Sequence, residues 1–161
     1  MVIIEGLVIC FILLVACVVG ISDGAVNLVF LYEKEVQDKA VETGLITHEK
    51  MKRNKLLFML LGMLPCWIFM IYAVYFINGA RGFWEGFWQM YVIMMIEGLF
   101  DRLFIDFYWV GKTKAWIIPK TETLMPYIYG KTLVFKWLGT LIGSPVLAAA
   151  LSGIMMLLVK N

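Results

Sequence analysis

Between Phe83 and Val110 the chain runs F-W-E-G-F-W-Q-M-Y-V-I-M-M-I-E-G-L-F-D-R-L-F-I-D-F-Y-W-V. The stretch is long enough to cross a bilayer, whose apolar core asks for about 20 residues of helix. Its second half nevertheless carries Glu97, Asp101, Arg102 and Asp106. An ionisable group at membrane depth costs about 2.5–3.5 kcal/mol on insertion scales. Four on one span therefore have to turn toward other helices, a polar cavity or a partner protein. At about 100° per residue, Asp101 stands roughly 40° from Glu97 and Tyr108 roughly 20° from it, so the three share a stripe. Arg102 and Asp106, also about 40° apart, form an adjacent stripe.

The rest of the chain agrees with a membrane setting. Of 161 residues, 62% are hydrophobic and 16% charged, where a soluble domain carries about 25% charged residues. A net charge of +2 leaves no nucleic-acid footprint. Together with 83–110, apolar stretches at approximately 2–32, 56–77 and 133–159 give an expected all-α, polytopic membrane protein. It is expected to be a single membrane domain built as a four-transmembrane-helix bundle.

The first stretch reads as one long helix, weakened at Asp23-Gly24. It continues past the bilayer as an amphipathic cytoplasmic extension, with Val36 and Ala40 on one face, and stops at Gly44. Leu14-Val15-Ala16-Cys17 has the look of a lipoprotein cleavage box. The residues before it include Glu5 and no Lys or Arg, however, so the span is expected to be retained and Cys17 unlipidated. Thr47 caps the next helix, Pro65 kinks the second span, and Asn78–Gly82 closes a tight hairpin. Trp84 and Trp88 suit the interface at that end, where Glu5 and Glu85 are expected to be solvated.

Gly111–Thr132, broken by Pro119 and Pro126, reads as an interfacial segment, with Lys112 and Lys114 reaching lipid phosphates; a re-entrant lid is the alternative. The fourth span carries Gly139-x-x-x-Gly143, which suits close packing in the bundle or a homo-oligomer contact. Lys and Arg gather in the loops between spans one and two and between three and four. Both termini are therefore expected outside and both large loops in the cytoplasm, with the cytoplasmic membrane as the location.

Equal distance from the inner boundary predicts that Asp23 or Asn27 approaches Arg102. One guanidinium balances one carboxylate, so Glu97, near mid-span, is expected to lack a cation and to exchange a proton. The first expectation is a small transporter or channel that binds its substrate or proton through Glu97, Asp101, Arg102, Asp106, Asp23 and Tyr108. The alternatives are an integral membrane enzyme acting on a lipid or isoprenoid at the cytoplasmic leaflet, or a non-catalytic accessory subunit. In the enzyme, Glu97, Asp101 and Asp106 serve as acid–base groups or magnesium ligands. Cys10, Cys17 and Cys66 all lie in apolar runs and His48 stands alone, so neither a disulfide, a transition-metal site nor a cofactor is expected.

Overall fold

The computed structural model describes residues 1–159. These are all-helical, with no strand among them. Helix α1 covers Val2–Ile21. The chain then turns at Gly24, whose φ of 116° suits a residue without a Cβ. A 3-10 segment, Ala25–Leu31, leads to the short helix α2, Lys34–Glu42. Helix α3 spans His48–Ile77. Helix α4 runs as Gly82–Phe100 and continues as a π-helical stretch, Asp101–Val110. Helix α5 spans Gly130–Leu158.

Helices α1, α3 and α5 are long and apolar enough to cross a membrane, which marks the chain as a membrane protein. These are three of the four expected spans. Helix α4 has the length, but its carboxylates and Arg102 keep it below the apolarity of the other three. The single long first helix is not formed. Ser22-Asp23-Gly24 breaks it, and α2 packs back on the protein through Val36 and Ala40 instead of extending α1. The turn at Gly44 and the Thr47 cap are as expected: the Thr47 side chain accepts from Lys50 N at 3.2 Å.

Both mid-helix prolines are preceded by a π turn. Met59–Met63 comes before Leu64-Pro65, and Gly139–Gly143 before Ser144-Pro145. A proline ring clashes with the carbonyl four residues back and lacks an N–H. The wider i→i+5 winding gives that carbonyl room within the same helix. The relief is thus supplied within each helix, by the turn ahead of the proline.

Two buried clusters hold the helices together. One, at the hairpin end, joins Ile9, Met70, Val74, Met90, Ile93 and Ala148. The other, at the end with the long loops, gathers Leu13, Val29, Tyr32, Ile105, Trp116 and Tyr127 among others. Segment 111–129 belongs to this second cluster. Its Trp116, Ile118 and Tyr127 are buried in the protein and not spread on headgroups, because the 3-10 segment and α2 offer them an apolar floor. Ile118 N and Thr121 Oγ1 each meet the Tyr127 hydroxyl at 2.9 Å, which folds the segment into a hook. Glu33 N donates to Tyr127 O, and Thr132 N donates to Glu33 Oε2 at 2.9 Å. Glu33 thereby caps α5 from another part of the chain.

Close approach of α4 and α5 depends on glycines of α4. A Cβ at Gly86 would run into the Tyr75 hydroxyl and come within 3.3 Å of Ser152 Oγ, and one at Gly98 would lie 2.7 Å from Thr140 Cγ2. Gly139 has open space where its Cβ would stand, so the Gly139/Gly143 pair does not make the packing contact expected of it. We predict that Gly86→Ala and Gly98→Ala each destabilise the purified protein by about 1–3 kcal/mol in thermal unfolding. Gly139→Ala should not.

Glu33 generates a pH prediction. Hydrogen bonds from Thr132 hold its carboxyl below the ordinary 4.5. A lowered folded value means its contribution is complete above the unfolded value and is lost as pH falls through the folded one. Glu33→Gln should therefore remove part of the acid-side loss of stability, seen as a wild-type-minus-variant difference that vanishes at low pH. A difference that grows as pH falls would refute the cap.

Candidate functional site

Asp101, Arg102 and Asp106 of α4 turn toward the protein interior, but their grouping differs from the helical-wheel expectation. Arg102 and Asp106 are both 7% exposed, while Leu103, Phe104 and Phe107 of the same turns point outward. Winding from Asp101 onward is π-helical, so angles counted at α-helical pitch drift over the last ten residues. Tyr108 leaves the stripe: it is 53% exposed and lies beside Phe104, with ring centroids 5.9 Å apart. Asp101 and Asp106 instead close on Arg102 from both sides. The Arg102 guanidinium contacts Asp101 Oδ2, and its Nη1 lies 2.5 Å from Asp106 Oδ2.

A second cation completes the group. Lys136 of α5 extends its Nζ to within 2.8 Å of Asp106 Oδ1. Asp106 is thus shared between a guanidinium on its own helix and an ammonium on the next. Two carboxylates face two cations, and the expected surplus of acid at this level is absent. In the sequence Lys136 counts only as a loop-side charge. The signal that could have found it is its place in Leu133-Val134-Phe135-Lys136-Trp137-Leu138, where a lone cation in an apolar run needs a buried partner.

These groups line a cavity of about 280 Å³ on which α1, the 3-10 segment, α3, α4, segment 111–129 and α5 all converge. Asp101, Arg102, Asp106, Lys136 and Lys55 supply its charges, and Leu13, Phe58, Met63 and Ile105 much of its apolar wall. Three lining residues carry buried hydrogen-bond donors without a partner among the described residues: the Tyr32 hydroxyl, Trp116 Nε1 and Arg102 Nε. On the far side, Arg102 and Asp106 also form the base of a second cleft of about 400 Å³, walled by Leu103, Phe107, Leu133 and Trp137. The ion pair thus separates a donor-rich chamber from an apolar cleft.

Other expected site residues are placed elsewhere. Asp23 is exposed beyond the end of α1, and Asn27 is held by Asn54, whose Nδ2 donates to its Oδ1 at 3.2 Å. Neither pairs with Arg102: after the break at residues 22–24, Asp23 and Asn27 line a groove with Lys50, Arg53 and Asn54 of α3 instead. Glu97 lies in a separate pocket of about 60 Å³ with Cys66, Trp67, Met70 and Met94, and no ion pair or hydrogen bond reaches it among the described residues. Lys112 sits over the Phe107 ring at 4.5 Å and lines the apolar cleft, whereas Lys114 is exposed and lines neither cavity. Glu97, Asp101 and Asp106 do not meet as a three-carboxylate metal set; the described residues contain no such group.

Glu5 and Glu85 were both expected in solvent, but only Glu85 is exposed. Glu5 is buried at 5% exposure and accepts from Asn78 Nδ2 at 2.9 Å, an amide shared with Gln89 Oε1 at 2.8 Å. The α3–α4 hairpin folds Asn78 back onto α1, a contact that no local pattern encodes. Glu85 caps its own helix by accepting from Arg81 N at 2.8 Å.

Removing one member of a buried ion pair leaves an uncompensated charge and costs about 3–5 kcal/mol. Asp106→Asn should show a loss of that size, since it strands Lys136 and leaves Arg102 with Asp101 as its one carboxylate. Lys136→Met should be milder in the Asp106→Asn background than in wild type, and a double-mutant cycle on unfolding free energies measures the coupling. Strict additivity would mean that Lys136 and Asp106 are not paired. No protein-family model, curated protein or solved structure matches the chain, so the functional reading rests on this geometry.

Proposed function

We propose that the protein is an integral membrane protein that takes the acceptor-rich head of an anionic amphiphile, a lipid or isoprenoid phosphate, into the 280 Å³ chamber, where it acts on it as a membrane enzyme. The observation that carries this reading is the set of unpartnered donors on Tyr32, Trp116 and Arg102 in a chamber that also holds Lys55 and Lys136. Buried donors seek acceptors, and phosphate supplies several with matching charge. The 400 Å³ cleft beyond Arg102 and Asp106 offers apolar walls for a hydrocarbon chain. Asp101 and Asp106, already hydrogen-bonded to cations, are the acid–base groups of this reading. Lys55, Arg102 and Lys136 take the phosphate-holding role first expected of Lys112 and Lys114.

Helix α4 is the fourth crossing in this arrangement, with its apolar side chains outward and its charges enclosed. The excess of Lys and Arg in the two large loops supports a chamber toward the cytoplasmic leaflet with both termini outside. Gly139 and Gly143, which leave a flat outward strip on α5, are the place where a second copy would pack. The second reading, proton- or cation-coupled transport, rests on Glu97, a carboxylate with no cation in contact. Its pocket of about 60 Å³ has room for about two waters at about 30 Å³ of liquid volume each.

Farnesyl phosphate added to the purified full chain in neutral detergent should shift the emission of buried Trp116 and raise the unfolding temperature. Lys55→Gln, an exposed position at the chamber that folding does not need, should weaken binding about tenfold, the scale of one lost charge-assisted hydrogen bond. Trp116→Phe should remove the fluorescence change and, because it deletes the Nε1 donor, reduce the thermal shift. Absence of binding, or binding indifferent to Lys55, would sink the amphiphile reading. Proton flux in proteoliposomes that Glu97→Gln abolishes would put transport in its place.

A further inference from the structure

A second charged hollow lies across Phe58 from the chamber, and the reading above does not use its charged residues. Where α1 ends and the chain turns through Gly24, α1 and α3 diverge around a groove of about 500 Å³. That falls within the range of small-molecule sites, roughly 300–1,000 Å³. Its deep end is set by Gly62, where a Cβ would stand 3.0 Å from Ala16 Cβ, so the two helices touch there and separate toward the loops. One wall is apolar and faces outward: Val19, Leu57 and Leu61 are 65%, 46% and 73% exposed. At the mouth stand Lys50, Arg53, Asn54, Asn27 and Asp23. Asn54 Nδ2 donates to both Asn27 O and Asn27 Oδ1 at 3.2 Å, which ties the two walls together beneath the cations.

We propose that this groove is a binding site for an anionic glycerophospholipid of the surrounding leaflet. The occupant follows from what the groove joins. Its apolar wall is continuous with the lipid-facing surface of two helices long and apolar enough to cross a membrane, so a chain of the bilayer reaches it without leaving hydrocarbon. The mouth presents two cations against one carboxylate, which favours a net negative head over a zwitterionic one. Lys50 and Arg53 hold the phosphate. Asp23 and the Asn27 carbonyl are acceptors for headgroup hydroxyls, which a glycerol head supplies and a choline head lacks. Lys52, on the same turn of α3, does not line the groove and takes no part.

The full chain, purified in neutral detergent, is titrated with dioleoyl phosphatidylglycerol, dioleoyl phosphatidylcholine or inorganic phosphate. Retained lipid is read by native mass spectrometry, and stability by thermal unfolding. Phosphatidylglycerol should bind and stabilise, and neither phosphatidylcholine nor inorganic phosphate should replace it. Each surface cation contributes about fivefold to anionic-lipid affinity, so Lys50→Gln with Arg53→Gln should weaken binding roughly 25-fold. Lys52→Gln should leave it unchanged, which separates the groove from a general attraction to basic surface. All four side chains of this end that the test touches or spares, Lys50, Lys52, Arg53 and Lys55, are exposed, so the variants should fold. Equal binding of phosphatidylcholine, displacement by inorganic phosphate alone, or equal losses in the paired variant and in Lys52→Gln would overturn the site. Farnesyl phosphate binding should survive the paired variant, so failure here and failure of the chamber reading give different results.

Discussion

Asp106 sits between Arg102 and Lys136, and much of the protein's loop-rich half is arranged around enclosing that trio. A carboxylate or cation buried alone would cost several kcal/mol; three held within hydrogen-bond reach offset much of one another's lost hydration. The condition is geometric. The π-helical end of α4 brings Arg102 and Asp106 to one side, and α5 must pass close enough for the Lys136 stem to reach. Segment 111–129 must then close over the top. The Asp106–Lys136 pair thereby joins α4 to α5 at this level.

Close packing makes that register possible. The glycines that matter are on α4, where Gly86 receives Tyr75 and Ser152 and Gly98 receives Thr140. The relief that the prolines need is internal to α3 and α5, in the π turns ahead of Pro65 and Pro145. Each device removes a steric obstacle locally, so that the helices meet as nearly continuous rods. The second end of the molecule is held differently. Glu5, Asn78 and Gln89 meet there at the Asn78 amide, and the buried cluster beside them is apolar, with Ile9, Met70, Val74 and Met90. The ion pairs lie at the loop-rich end, while apolar packing serves both ends.

Helix periodicity was legible because it depends only on neighbours along the chain: the Thr47 cap, the stop at Gly44, the Asn78–Gly82 hairpin and the buried face of α2 all follow from residues within a turn or two. The inward facing of Arg102 and Asp106 was legible too, since lipid permits nothing else. Reading fails where the local rule changes unannounced. A wheel at α-helical pitch misplaced Tyr108 because the winding widens at Asp101. Depth matching paired Asp23 with Arg102 because it assumed α1 ran straight through Gly24. Glu5 looked solvated because its partner arrives from 73 residues away.

From the amino-acid order alone come the helical, membrane-embedded character of the chain and the need to enclose the charges of α4, since hydropathy and the cost of bare charge in lipid are properties of segments. Which charges meet is a different matter. That Lys136 rather than Asp23 completes the cluster, that Tyr32 and Trp116 come to line the same chamber, and that α1 and α3 part to form a groove were decided only by tertiary structure. Such contacts join residues far apart in sequence, and their geometry depends on helix crossings and loop paths that no single segment specifies.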